Sequence, residues 1–504
     1  MKKIYLFALY CCVTLSVSAQ NVNRNRFITD SLDNYINRAL TNWRVPGAAV
    51  CVVKDGRIIL RKGYGIKELG LANKTDENTL FMIGSNTKAF TATALAMLQN
   101  EHKLSLDDKV NKYLPDFKLN DKTAGELTTI RDLLSHRIGF ATFQGDFAFY
   151  NTDLSRQDII EKMGHVKAAY PFRTKWGYTN SAYLTAGLVL EKAAGQPWEA
   201  YLKSNLFAPL GMSSTVALSK DLATSFNKSA AHTLVDGRLI AIPYAQLDNL
   251  APAGAISSSI SDMSKWVMAL LDNGKVAGRQ VIPAAAIQAP RQAQQLVGSD
   301  VESGYRAYGL GWFLQGYRNH RMIMHTGGVN GFVSSVTLMP DENLGIVILT
   351  NNDQNELINT LNLEIIDAYL KLPYRDYTDA ALNQAKSRQA REQQRDKQLR
   401  DSVMLNLKPT LSLDDYTGKY SNELYGNLTI SKGEANDLDV RFEHHPRMFA
   451  RLQPLGGNRF YAVFSDPEFG RTVFPFTVQN NKVQSVQVKV SDFVEYTPYE
   501  FRKK

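Results

Sequence analysis

Cysteine is almost missing from this chain of 504 residues: three occur, Cys11, Cys12 and Cys51. The first two fall in a segment that reads as a removable leader. The rest then keeps Cys51 alone, which excludes an internal disulfide. Cys51 lies in the apolar run 48–53 and reads as a small core residue. Long hydrophobic runs are also lacking. Past the leader no stretch approaches the roughly 20 apolar residues that a membrane span needs, so no integral span is expected after leader removal. The net charge is +9, but no basic patch is interleaved with aromatics, which argues against nucleic acid as a partner. The histidines show no metal-ligand spacing, and nothing calls for a metal or an organic cofactor. Internal repeats and low-complexity tracts are missing too.

What is present fits a soluble globular protein. Hydrophobic residues make up 44% of the chain and charged ones 21%, and the length suits two or three domains. Lys2 and Lys3 precede the apolar run 4–17, and Val17-Ser18-Ala19 supplies small residues before a cleavage point after Ala19. Residues 1–19 are thus expected to be a signal peptide, with export to the periplasm or beyond.

Residues 28–40 have helical spacing, and 48–53 and 57–60 are apolar runs joined at Lys54-Asp55-Gly56, a hairpin signal. Residues 86–271 read as mostly helical and 308–351 as strands, with Pro340-Asp341-Glu342-Asn343 as a turn and a helix over 355–370. Strands at both ends of this unit can pair in one antiparallel sheet flanked by helices, with the helical stretch as a second lobe. That is an α/β (α+β) domain over 20–373. Residues 374–407 lack Gly and Pro and are rich in Gln, Arg and Lys, a solvated helical linker. Residues 408–504 are short alternating strands with turns, a small all-β module.

Three motifs carry chemistry. Ser85-Asn86-Thr87-Lys88 puts a serine and a lysine on one helix face, where the amine can reach the hydroxyl. A second Ser-x-x-Lys, Ser225 to Lys228, has no apolar helix behind it and reads as chance. Tyr178-Thr179-Asn180 follows Lys175-Trp176-Gly177 at a helix start, and its phenol is a candidate base. Tyr35, Tyr420 and Tyr425 also begin Tyr-x-Asn triplets, and only context separates them. His325-Thr326-Gly327-Gly328 precedes a strand. Its glycines permit close backbone approach, and the Gly328 N–H is a candidate oxyanion donor beside that of Ser85.

In this order the motifs resemble the serine β-lactamase-like family, in its class C β-lactamase, D-Ala-D-Ala carboxypeptidase, D-aminopeptidase and esterase branch. Flanking phrases agree: Thr129-Ile130-Arg131-Asp132-Leu133-Leu134-Ser135-His136, Pro209-Leu210-Gly211-Met212 and Tyr308-Gly309-Leu310-Gly311-Trp312. The resemblance covers roughly residues 27–370 and implies an acyl-enzyme mechanism. Ser85 would be the nucleophile, Lys88 and Tyr178 general bases, and Asn180 a contact to a substrate amide. His325 and Thr326 would belong to the substrate-binding third motif, with Gly328 as oxyanion donor. The second motif is not the Ser-Asp-Asn of class A enzymes. A neutral histidine replaces the lysine frequent in the third motif and binds a substrate carboxylate less firmly. The C-terminal module resembles the lipocalin-like barrels of some D-aminopeptidase-related hydrolases, and cleft coverage or self-association into a homo-oligomer is expected of it. The expected function is cleavage of an ester or amide in a small molecule or peptide. β-Lactam hydrolysis is the alternative within the class, and a non-catalytic ligand-binding protein is the alternative outside it.

Overall fold

A computed structural model describes residues 27–300, 304–434 and 436–504. The proposed signal segment lies outside the described residues. Strand β1 (Gly47–Lys54) is buried along almost its whole length. It turns at Asp55 and Gly56, with φ of 51° and 71°, into β2 (Arg57–Gly65). Left-handed values at both positions match an Asp-Gly hairpin. The chain returns much later through β3 (Gln295–Asp300), β4 (Gly304–Tyr308), β5 (Phe313–Tyr317), β6 (His320–Val329), β7 (Phe332–Met339) and β8 (Leu344–Thr350). The sheet order is β2-β1-β8-β7-β6-β5-β4-β3, and every pairing is antiparallel. Ala48 pairs with Thr350 and Lys54 with Leu344, which joins the two ends of the unit as expected.

The period-2 alternation of β1 explains its continuous apolar run. Ala48, Val50 and Val52 pack on helix α1 (Leu32–Trp43) and a later helix over Leu357–Tyr369, whereas Ala49, Cys51 and Val53 face the helical lobe. Both faces are covered, so no polar position is needed. At the centre of the lobe is α2 (Thr87–Asn100), buried on all sides, with Phe90 stacked on Trp266 of the helix Ile260–Leu271 at 4.2 Å between centroids. Beside it runs α3 (Asn180–Ala194), stopped by Gly195 in the left-handed region.

A long helix, Tyr377–Met404, fully buries only Thr378, rests Ala381, Leu382 and Ala385 on the main body, and leads to the C-terminal module. That module is a closed barrel of eight antiparallel strands, from Gly418–Asn422 to Tyr499–Lys503, sealed by pairing of Tyr420 with Lys503. Tyr416, Tyr420, Phe460, Phe474 and Phe476 fill it. Among the described residues no helix is long and apolar enough to cross a membrane.

The structure also contains elements the sequence reading passed over. A hairpin, Ala231–Val235 with Arg238–Ile242, interrupts the stretch read as helical, and its turn is the Asp236-Gly237 signal. The later run of main-sheet strands begins at Gln295, earlier than the strand-rich stretch suggested. Three barrel strands, Gly418–Asn422, Phe449–Pro454 and Tyr499–Lys503, carry too few β-branched residues to stand out.

Candidate active site

Ser85 sits in a tight turn, Gly84–Asn86, that leads into α2. Neighbouring elements clamp this turn. Ile83 N–H donates to the Ile256 carbonyl at 3.0 Å. Asn86 Nδ2 donates to Ser334 Oγ of β7 at 2.8 Å, and Ser334 Oγ donates to the Ile83 carbonyl at 2.7 Å. Gly84 has φ of +52°, and a Cβ there would lie 3.0 Å from the Gly328 nitrogen. A side chain at Gly327 would lie 1.9 Å from the Ile83 carbonyl oxygen. Glycine at 84 and 327 thus lets the serine turn lie directly against β6.

Lys88 follows one helical turn later, with its side chain fully buried. Its Nζ is 2.7 Å from Asn180 Oδ1, 2.8 Å from the Ala253 carbonyl oxygen and 3.2 Å from Ser85 Oγ. The first two partners can only accept. A neutral amine would give them its two N–H bonds and leave its lone pair for the Ser85 hydroxyl proton. The Nζ also lies 4.6 Å from the Tyr178 ring centroid and 5.3 Å from that of Tyr183. Burial pushes the Lys88 pKa down to about 7, against an opposing pull from the Asp146 carboxylate.

Tyr178 lies in the loop before α3, held by Thr142 Oγ1, which accepts from its N–H at 3.2 Å, and by Phe143 N–H, which donates to its carbonyl at 2.8 Å. It is buried rather than an exposed turn residue. The other three Tyr-x-Asn hydroxyls are taken: Tyr35 by Thr378, Tyr420 by the Tyr416 carbonyl and Tyr425 by His445. Only the Tyr178 hydroxyl among these four is buried without a hydrogen bond. Burial raises its pKa strongly, and the nearby Ser85 hydroxyl lowers it only in part. The phenol is therefore neutral at physiological pH.

His136 stands behind Tyr178, with ring centroids 4.4 Å apart. Its Nδ1 accepts from Thr179 N–H at 3.0 Å, which puts the proton on Nε2, and burial keeps the ring neutral. Asn180 spends its amide on two neighbours: Oδ1 accepts from Lys88, and Nδ2 donates to Asp146 Oδ2 at 2.6 Å. Its position in the structure is a bridge to Lys88, to which a substrate contact would be added.

His325, Thr326 and Gly328 lie along β6. His325 Nδ1 is 2.6 Å from the Thr326 carbonyl oxygen, and Nε2 is 3.0 Å from the Tyr308 hydroxyl. Burial, with Lys88 and Arg306 nearby, lowers its pKa to about 3, so it carries no charge at neutral pH. The second Ser-x-x-Lys stands apart: Ser225 Oγ donates to the Asp221 carbonyl and Lys228 Nζ to the Ala223 carbonyl.

The barrel also reaches the site. The ring of Phe493 is the first thing a Cβ at Gly328 would meet, at 3.6 Å, and Tyr496 lies 5.8 Å from Phe143, which itself contacts Tyr178. In return Phe147 of the main body inserts among Tyr425, Phe442, His445, Phe469 and Tyr499 of the barrel. Sequence reasoning missed His136, Asp146, Phe493, Glu495 and Tyr496. His136 was within reach, since it ends a phrase already singled out. The others become neighbours only through contacts between segments far apart in sequence. Among the described residues no group of three or more His, Cys, Asp or Glu side chains could hold a metal ion.

An antiparallel sheet between helices, a helical lobe and a Ser–Lys pair at the junction define the β-lactamase and penicillin-binding-protein class of folds. Comparison with known proteins agrees. The Beta-lactamase family model matches residues 32–370, and a model described as Domain of unknown function (DUF3471) matches residues 404–503. The chain belongs to the Beta-lactamase family, a family of serine hydrolases. It is 30% identical over 427 residues to "Unguisins hydrolase ungD'" of Aspergillus campestris, covering 80% of this chain and 78% of that one. It is 26% identical over 344 residues to "Protein flp" of Staphylococcus aureus, covering 67% of this chain and 66% of the relative. The fold matches the octameric penicillin-binding protein homologue from Pyrococcus abyssi with a TM-score of 0.62 at 20% identity, over 94% of this chain and 99% of that one.

Proposed function

We propose that this protein is an exported serine hydrolase that cleaves an ester or amide through an acyl-enzyme on Ser85. One observation carries the reading: a fully buried Lys88 with two pure acceptors and the Ser85 hydroxyl as its three polar neighbours. Lys88, as the neutral amine, takes the Ser85 proton while Oγ attacks the carbonyl carbon. The N–H groups of Ser85 and Gly328 face the developing oxyanion. Tyr178, a neutral phenol, passes a proton to the leaving group and recovers one from the lysine ammonium. Water then attacks the ester, its proton returns to the same pair, and Oγ leaves reprotonated. The half-exposed rings of Phe493 and Tyr496 favour a substrate with an apolar group. Because His325 is neutral, a carboxylate-bearing β-lactam gains no charge pairing from it, which ranks β-lactam hydrolysis second. A purely binding role is disfavoured because it has no use for a desolvated lysine beside a serine. Export rests on Lys2, Lys3 and the apolar run 4–17.

The test is intact-protein mass and turnover with an activated ester and with a penicillin, on the native protein and on Ser85→Ala. A transient or stable acyl adduct and turnover in the native protein alone are expected. Undiminished ester turnover by Ser85→Ala would remove Ser85 from the mechanism. Light scattering on the same samples reads whether this chain self-associates; its fold neighbour from Pyrococcus abyssi is octameric.

A further inference from the structure

Asp146 opens a short helix, Asp146–Phe149, and is buried. Its Oδ2 accepts from Asn180, whose other end holds Lys88, and its Oδ1 has no hydrogen-bond partner. The residues on either side of it are gripped by the barrel. Glu495 accepts from Gly145 N–H at 3.0 Å through Oε1 and from Phe147 N–H at 2.9 Å through Oε2, and the Tyr499 hydroxyl donates to it at 2.8 Å. Two carboxyl groups, one from each body, thus meet in a buried place. Such a pair resists double ionisation. Burial raises the Glu495 pKa to about 7, but Glu495 has three donors and Asp146 has one, so Glu495 is the first of the two to ionise and the proton stays on Asp146. Burial and the Glu495 charge both hold the Asp146 pKa well above its ordinary value.

We propose that Asp146 positions Lys88 through Asn180, and that Glu495 of the barrel keeps Asp146 protonated, so that the docked barrel adjusts the pH at which Ser85 is activated. The inference rests on the reading of Ser85 and Lys88 given above. An ionised Asp146 would hold a proton on Lys88 and silence the base. A protonated Asp146 releases it. The other titratable groups facing this relay are Tyr178 beside Asp146 and Lys88, Tyr499 beside both carboxyls, and neutral His136 and His325, which face Lys88.

The experiment is the pH profile of kcat/KM for p-nitrophenyl butyrate between about pH 5 and 9, on the full chain and on Asp146→Asn, Glu495→Gln, the double variant and Ser85→Ala. Asp146→Asn, a neutral isostere of the protonated acid, should leave the acid limb near its native position. Glu495→Gln lets Asp146 ionise and moves the limb up. The double variant should follow Asp146→Asn, because Glu495 acts through Asp146. A merely structural role would alter amplitude or thermal stability and leave the limb in place. A Glu495→Gln limb that coincides with the native one, an Asp146→Asn limb that moves up with it, or a double variant that follows Glu495→Gln would overturn the relay. If Glu495→Gln does not fold, Tyr499→Phe takes one donor from Glu495, and its limb should also move up; an unmoved limb counts against the proposal. Undiminished turnover by Ser85→Ala is a separate result and would refute the acyl-enzyme reading itself.

Discussion

Gly327 and Gly328 are neighbours on one strand, yet replacing each with alanine should have different results. Neither has a positive φ, so alanine is conformationally allowed at both. At Gly327 the new methyl would lie 1.9 Å from the Ile83 carbonyl oxygen and 2.6 Å from Ser334 Oγ, where ordinary contact starts at 3.4 Å. The serine turn and β6 would have to part by about 1.5 Å, the difference between 3.4 and 1.9 Å. Ser334 is the group that ties Asn86 to the Ile83 carbonyl, so its two hydrogen bonds go as well. Overpacking costs about 1–3 kcal/mol and each lost hydrogen bond about 1 kcal/mol. A displacement of about 1 Å in a reacting group can cost on the order of 100-fold in rate. At Gly328 the methyl meets only the Phe493 ring at 3.6 Å, and the N–H is untouched. Gly327→Ala should therefore lower Tm by several degrees and ester turnover by about 100-fold or more. Gly328→Ala should keep Tm and stay within about tenfold of native turnover. Native turnover and Tm in Gly327→Ala, or equal losses in both variants, would refute the claim that close backbone approach builds this site.

Other consequences can be checked by standard means. In the proposed mechanism Lys88, whose pKa is brought down to about 7, acts as the neutral amine, so kcat/KM should rise about tenfold per pH unit below 7 and level off above it; Lys88→Arg, always charged, should lose the activity. Phe147→Ala removes a ring seated among five barrel aromatics and should cost on the order of 3–5 kcal/mol, splitting a single denaturant transition into two as the barrel undocks. Glu468 of the barrel is buried against Asp353 and Asp466, which raises its pKa well above 4.5. Folding therefore favours its protonated form, and stability falls as pH rises above about 4.5 toward that raised value. Glu468→Gln should be more stable than the native protein at pH 8, with the difference vanishing near pH 4, as read by Tm.

Much of this protein is determined locally and was legible in the order of residues. The apolar run of β1, the Asp55-Gly56 turn, the helix spacing in α1 and α2 and the strands of β7 and β8 each follow from a periodicity or a turn residue that acts over a few positions. Ser85 and Lys88 are close because a helical turn separates them, so the sequence alone places them together. Other relations needed the tertiary structure. The hairpin at Asp236-Gly237 depends on packing, because a five-residue strand has little signal of its own. That Tyr178, and not Tyr35, Tyr420 or Tyr425, has an uncommitted hydroxyl beside Lys88 is settled by burial and by the partners of the other three. Desolvation moves the Lys88 pKa, and desolvation is a property of the surrounding layers rather than of four consecutive residues. The barrel's part is the clearest case: Glu495 and Asp146 are hundreds of positions apart, and only docking of one folded surface on another brings two carboxyl groups close enough for charge repulsion to decide which of them is protonated.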